Sequence, residues 1–275
     1  MDGKNETLPA TPRRLDVHDG RCRLSVEIIV PAACSKNTAR PTLVFLHEGL
    51  GSIAQWRDFP LAVSRAVCLP AVVYERGGHG NADPLDEPRT IRYIHEEALQ
   101  SLPEILRKLQ IDDAILIGHS DGGSIALIFA AVQPEKVRGI ITEAAHVFVE
   151  ESTLAGIREA VRIFACTDLP DRLARYHGSN TEAVFRGWSD TWLCPAFRDW
   201  NIEEYLPGVR CPVLAIQGRD DEYGTPAQVE AIVNGVSGPV EALILDGCGH
   251  VPHVQARRKV LARMTRFIRA LAARE

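Results

Sequence analysis

The segment Gly118-His119-Ser120-Asp121-Gly122 holds a serine with a glycine two residues away on each side, a grouping that can do chemistry. A serine hydroxyl attacks a carbonyl carbon only when a neighbouring base takes its proton. An imidazole with an ordinary pKa of about 6.5 suits that task. A carboxylate must then fix the tautomer of the ring and stabilise its charged form. His250, in Asp246-Gly247-Cys248-Gly249-His250, is the candidate base. Asp220 or Asp221, in Gly218-Arg219-Asp220-Asp221, is the candidate acid. Together these residue types predict acyl transfer, with Ser120 as nucleophile. His253 competes as base from three residues further on, but is expected to open the last helix and lie further from the site.

These side chains are far apart in the chain, so the elements around them must bring them together. Thr42–Leu46, Ala71–Tyr74, Ala114–Ile117, Val137–Thr142, Pro212–Gln217 and Val240–Leu245 are short apolar runs, which predict strands covered on both faces. Residues 22–30 read as a further strand. Helical spacing predicts helices over 55–67, 91–109, 122–132, 226–235 and 254–272, with a kink or a break at Pro103. Strands alternating with helices predict an α/β fold, a mostly parallel sheet with helices on both faces. The alternation stops over 148–206. That stretch holds Trp188, Trp192 and Trp200 and predicts a helical insertion. Residues 1–20 are expected to form a loose arm, leaving 21–147 and 207–275 as the core.

In this frame Ser120 sits on a strand-to-helix turn. The flanking glycines give that turn room, and the helix behind it directs N–H groups at developing negative charge. The Asp121 N–H is the expected first oxyanion donor. Both His250 and the two aspartates follow strands, and so reach the C-terminal sheet edge where open α/β sheets hold their chemistry.

Over roughly residues 20–272 the chain resembles the α/β-hydrolase fold superfamily, in its serine-hydrolase form with a helical cap and an eight-stranded-type sheet. The resemblance rests on Gly118 to Gly122, on the chain order Ser120, acid, His250, on Gly218 to Asp221, and on Arg76-Gly77-Gly78-His79-Gly80. It implies Asp221 rather than Asp220 as the acid, and 148–206 as the cap. It also implies Gly49, in His47-Glu48-Gly49, as the second oxyanion donor, with Leu50 as the alternative because Glu48 stands where the family usually has glycine.

Pocket candidates are Glu48, His146, Trp188 and Trp192, with Trp200, Tyr93, His79 and Arg76 behind them. Glu48 could instead bond nearby backbone N–H groups, and the tryptophans could instead form the core of the insertion. The expected reaction is hydrolysis of a small ester, thioester or related acyl compound through an acyl-enzyme, with no cofactor. The same residues would serve C–C bond hydrolysis, lactone opening or acyl transfer, and the same fold would serve a non-catalytic ligand receptor.

Composition narrows the field. A net charge of −5 and a pI of about 6.0 disfavour nucleic acid as a partner. The one basic run, Arg257-Arg258-Lys259, reads as a solvated helix face. No metal-ligand spacing, phosphate loop or dinucleotide loop is present. No apolar stretch is long enough to span a membrane. The N-terminus lacks a signal peptide's apolar run, and the seven cysteines are odd in number without Cys-x-x-Cys pairing. Reduced thiols and a cytoplasmic location are therefore expected, with a small acyl molecule as the partner; nothing in the sequence marks an oligomeric state.

Overall fold

Leu43 and Phe45 belong to one apolar layer of the molecule, while Val44 and Leu46 belong to the other. This is the period of two of a strand buried on both faces. The computed structural model describes residues 12–31 and 40–272. In chain order the elements are β1 (Arg13–His18), β2 (Arg23–Ile29), β3 (Thr42–Leu46), α1 (Phe59–Val67) and β4 (Ala71–Tyr74). Then come α2 (Tyr93–Glu96), α3 (Leu102–Lys108), β5 (Ala114–His119), α4 (Asp121–Val132) and β6 (Val137–Glu143). The chain continues through α5 (Glu151–Cys166), α6 (Leu169–His177), α7 (Thr181–Leu193), β7 (Val213–Gly218), α8 (Ala227–Gly235), β8 (Val240–Leu245), α9 (Pro252–Gln255) and α10 (Arg257–Ala272).

The strands form one eight-stranded sheet in the order β1-β2-β4-β3-β5-β6-β7-β8. The β1–β2 and β2–β4 pairs are antiparallel and the rest are parallel. Helices α1 and α10 cover one face with Phe59, Val63, Met264 and Ile268. Helix α4 and residues of α2, α3 and α8 cover the other. Helix α4 is buried along nearly its whole length, which explains its small apolar residues.

Three expectations need correction. Residues 13–18, expected in a loose arm, form β1 and pair with β2 from Arg13–Ile28 to His18–Arg23. The arm expected before them lies outside the described residues. The helix expected over 91–109 runs without interruption from Tyr93 to Lys108, but with neither the kink nor the break expected at Pro103. A π-helical stretch, Glu97–Ser101, joins α2 to α3. Pro103 cannot donate a backbone hydrogen bond and its ring crowds the preceding turn, and the wider π turn accommodates it. Lastly, Cys22, Cys166, Cys194, Cys211 and Cys248 are free, but Cys68 is disulfide-bonded. A single bridge needs no spacing motif, so the pattern of cysteines carried no sign of it.

Between β6 and β7 the described chain is helical, apart from an isolated bridge between Phe148 and Asn201. Backbone bonds from Val149 to Trp200 and from Ile202 to Val147 tie the same neck. No helix among the described residues is long and apolar enough to cross a membrane.

Candidate active site

Strand β5 delivers Ser120 directly into α4 through a turn in which Ser120 takes φ 52° and ψ −117°. That left-handed backbone is strained for a residue with a side chain. The neighbours explain why glycine flanks it: a Cβ on Gly118 would run into the Gly122 carbonyl, and one on Gly122 into the Leu46 carbonyl. The Ser120 N–H donates to the Glu143 carbonyl at the end of β6 (2.8 Å), which fixes the turn against the neighbouring strand.

The loop after β7 carries Asp221, and the loop after β8 carries His250. Both Asp221 carboxylate oxygens lie 2.9 Å from His250 Nδ1. The proton of the neutral ring therefore sits on Nδ1, leaving Nε2 as an acceptor. Asp221 is held in turn by the N–H groups of Tyr223 (2.8 Å) and Gly224 (3.3 Å) and by the Gln217 side-chain amide (2.6 Å). Its side chain is fully buried. Burial alone would raise its pKa, but the His250 hydrogen bond and charge and the Tyr223 N–H hold it below the ordinary aspartate value. Burial likewise acts to lower the His250 pKa; Asp221, aided by the charges of Glu48 and Glu222, more than offsets it, so the net shift is upward from 6.5. Asp220 is exposed and does not share this contact.

Ser120 and His250 line one cavity of about 470 Å³ together with Glu48, Trp188, Trp192 and Tyr223. Among the described residues no hydrogen bond joins the Ser120 hydroxyl to His250. In ligand-free sites such bonds are commonly long and tighten only with substrate.

His253 lines the same cavity, nearer than expected. Its ring is already committed, however: Nδ1 and the His253 backbone N–H both bond Glu143 Oε2 at 2.9 Å. His119 Nε2 donates to the His250 carbonyl (2.7 Å), tying the base loop to β5. Burial, together with the charges of His250 and His253, drives the His119 pKa well below 6.5, so it acts as a neutral tether.

As the first residue of α4, Asp121 has an N–H with no acceptor inside the helix. The Gly49 N–H has no acceptor among the described residues. Leu50, the alternative donor, is occupied: its N–H bonds Glu48 Oε2 at 2.5 Å. Glu48 bonds backbone with one oxygen and also lines the cavity. Burial raises its pKa, and the Leu50 N–H and the His250 charge pull the other way without cancelling that rise.

His146 lines the cavity, and its Nε2 donates to the Tyr223 carbonyl (3.0 Å). Trp188 packs over Gly49, whose missing Cβ would otherwise meet the indole ring. Trp192 both lines the cavity and serves as core, set edge-on against Phe197 and tilted against Trp200. Arg76 and His79 are buried and lie outside the lining. Sequence reasoning missed Thr153, Glu222 and Tyr223 in the lining, and Glu143 behind it. Glu222 and Tyr223 directly follow Asp221, the one local signal that could have found them. Among the described residues no three His, Cys, Asp or Glu side chains group to hold a metal.

Comparison with known proteins agrees with this architecture. A family model described as alpha/beta hydrolase fold matches residues 41–204. The chain is similar to a proline iminopeptidase of Lactobacillus delbrueckii subsp. bulgaricus, 24% identical over 260 residues, covering 81% of this chain and 88% of that protein. It is 25% identical over 254 residues to a 2-hydroxy-6-oxo-2,4-heptadienoate hydrolase of Pseudomonas putida, covering 83% and 89%. Among solved structures, a 2-hydroxy-6-oxo-6-phenylhexa-2,4-dienoate hydrolase from Rhodococcus sp. superposes with a TM-score of 0.74 at 13% identity, covering 94% of this chain and 99% of that one.

Proposed function

From the premise that this chain belongs to the alpha/beta hydrolase fold family, we propose that it hydrolyses a small carboxylic ester, thioester or related acyl compound through an acyl-enzyme on Ser120. The observation that carries the reading is the buried Asp221–His250 pair, opening onto the cavity that also holds Ser120 on its strained turn. Ser120 attacks the carbonyl carbon while His250 Nε2 takes the hydroxyl proton. Asp221 holds the ring and stabilises the imidazolium. The Asp121 and Gly49 N–H groups receive the oxyanion; losing one such donor typically costs about 10²–10³ in rate. His250 then protonates the leaving group as its bond to the acyl carbon breaks. A water deprotonated by His250 attacks the acyl-enzyme carbonyl, the ester bond to Ser120 breaks, and the acid leaves as the imidazolium returns the proton to the Ser120 hydroxyl. None of these steps calls for a cofactor, and no nucleic acid or membrane partner enters the reading.

The test is Ser120→Ala against an ester panel with detection of the acid product. Turnover should fall by about 10⁶ with the fold retained, and labelling by a fluorophosphonate should disappear. A variant keeping more than a few per cent of wild-type turnover would show that another group is the nucleophile.

One observation favours a second reading, in which the acyl group carries a protonated amine, as in an aminoacyl ester or amide. Glu48 lines the cavity beside the proposed oxyanion site, and its Oε1 has no partner among the described residues. An ionised carboxylate there would oppose a developing oxyanion unless a cation on the substrate neutralised it. Proline p-nitroanilide and neutral p-nitrophenyl esters, assayed side by side on wild type and Glu48→Gln, separate the two. A preference for the amine that Glu48→Gln abolishes supports the second reading, and an unchanged preference discards it.

A further inference from the structure

Arg76 is almost completely buried behind the catalytic edge and outside the cavity lining, yet it reaches both segments that carry the proposed oxyanion donors. One guanidinium nitrogen, Nη2, donates to the Glu48 carbonyl at 2.7 Å, and the other, Nη1, donates to Asp121 Oδ2 at 3.3 Å. The Glu48 carbonyl belongs to the same peptide unit as the Gly49 N–H. No peptide bond among the described residues is cis, so that N–H points opposite to the carbonyl it shares a plane with. Anchoring the oxygen therefore aims the amide.

His47 supports the same anchor. The Arg76 backbone N–H donates to His47 Nε2 (3.1 Å), which leaves the proton on Nδ1, 2.7 Å from the Glu48 carbonyl. On the other arm, the Asp121 carboxylate also accepts the Tyr93 hydroxyl (2.8 Å), and Tyr93 in turn accepts the indole N–H of Trp192 in α7 (2.8 Å). The two loops thus meet at one rigid, planar cation.

We propose that Arg76 is a positioning residue that sets the aim of both oxyanion donors, Gly49 N–H through the Glu48 carbonyl and Asp121 N–H through the Asp121 carboxylate. The assignment rests on the acyl-transfer reading above. A guanidinium fork serves two acceptors in fixed directions, whereas an ammonium is a point charge without that geometry. Charge alone would therefore not restore the function.

The experiment is Arg76→Lys in the full chain, assayed with p-nitrophenyl acetate and with an aryl trifluoromethyl ketone, whose hemiketal with serine places an oxyanion on the reacting carbon. We expect kcat to fall by roughly 10²-fold, as for loss of one oxyanion donor, with KM within about threefold. Affinity for the ketone should fall in step with kcat. A folded variant with wild-type kcat and ketone affinity, or one whose whole loss lies in KM, would overturn the proposal. Should Arg76→Lys not fold, Asp121→Ala carries the same expectation, since it removes the acceptor of Arg76 Nη1 while keeping both amides. If neither folds, the pair serves stability and the proposal is abandoned. Wild-type protein without Ser120-dependent turnover would overturn the underlying reading, and this assignment with it.

Discussion

His250 is the residue on which pH acts. In the proposed mechanism it must be neutral to accept the Ser120 proton, so kcat/KM should rise as pH climbs through its pKa. Because that pKa is raised above 6.5, the acid limb of the pH–rate profile should have its midpoint above pH 6.5. Glu48 is one of the carboxylates that raise it, so Glu48→Gln should move the midpoint down. A midpoint that stays put would remove Glu48 from the electrostatics of the base. The two aspartates should separate cleanly by single substitution. Asp221→Asn should lower kcat by about 10⁴-fold, the loss expected when the wrong tautomer is held, whereas exposed Asp220 changed to Asn should stay near wild type. Equal losses would contradict the geometry. At this scale the candidate triad could be read from sequence because each member sits in a short local signature. The network of Arg76, Asp121, Tyr93 and Trp192 could not, because its members come from three separate helices and the loop after β4, and their hydrogen bonds exist only in three dimensions.

At the scale of elements, the turn between β5 and α4 is the least forgiving part of the chain. Gly122→Ala would press a methyl group on the Leu46 carbonyl of β3. Overpacking of this kind costs about 1–3 kcal/mol, and each kcal/mol lowers Tm by roughly 2–4 °C in a domain near this size. Calorimetry that finds Gly122→Ala as stable as wild type would show that β3 yields more easily than its buried setting implies. The central strands were legible because they are apolar throughout and buried on both faces. Strand β1 was not: it lies at the sheet edge, and only Val17 of its six residues is buried. Charged residues on an edge strand guard against unwanted pairing, and the same charges hide it from a search for apolar periodicity. The π-helical stretch before Pro103 was illegible for a different reason. A proline signals that α-helical spacing must yield, but not whether by a kink, a break or a wider turn.

For the molecule as a whole, the cavity lies between the sheet edge and helical residues of the β6–β7 segment, Thr153, Ile157, Tyr176, Trp188 and Trp192. A ligand bound there touches both parts and should stabilise the fold as a unit. A trifluoromethyl ketone at 100 times its Kd should add about 2.7 kcal/mol, read as a rise in Tm of roughly 5–10 °C. Ser120→Ala, unable to form the hemiketal, should lose most of that rise. An equal rise in the variant would mean that the ketone binds without engaging the serine.

Glu143 has a role of a different kind. Its carbonyl fixes the backbone of Ser120, while its carboxylate fixes the backbone and ring of His253, three residues beyond His250. One residue is thus the shared datum from which the proposed nucleophile and base are both surveyed, so that on warming the two should drift together instead of apart. Inactivation by heat should then be abrupt, coinciding with global melting, with no intermediate range in which an intact fold carries a misaligned pair.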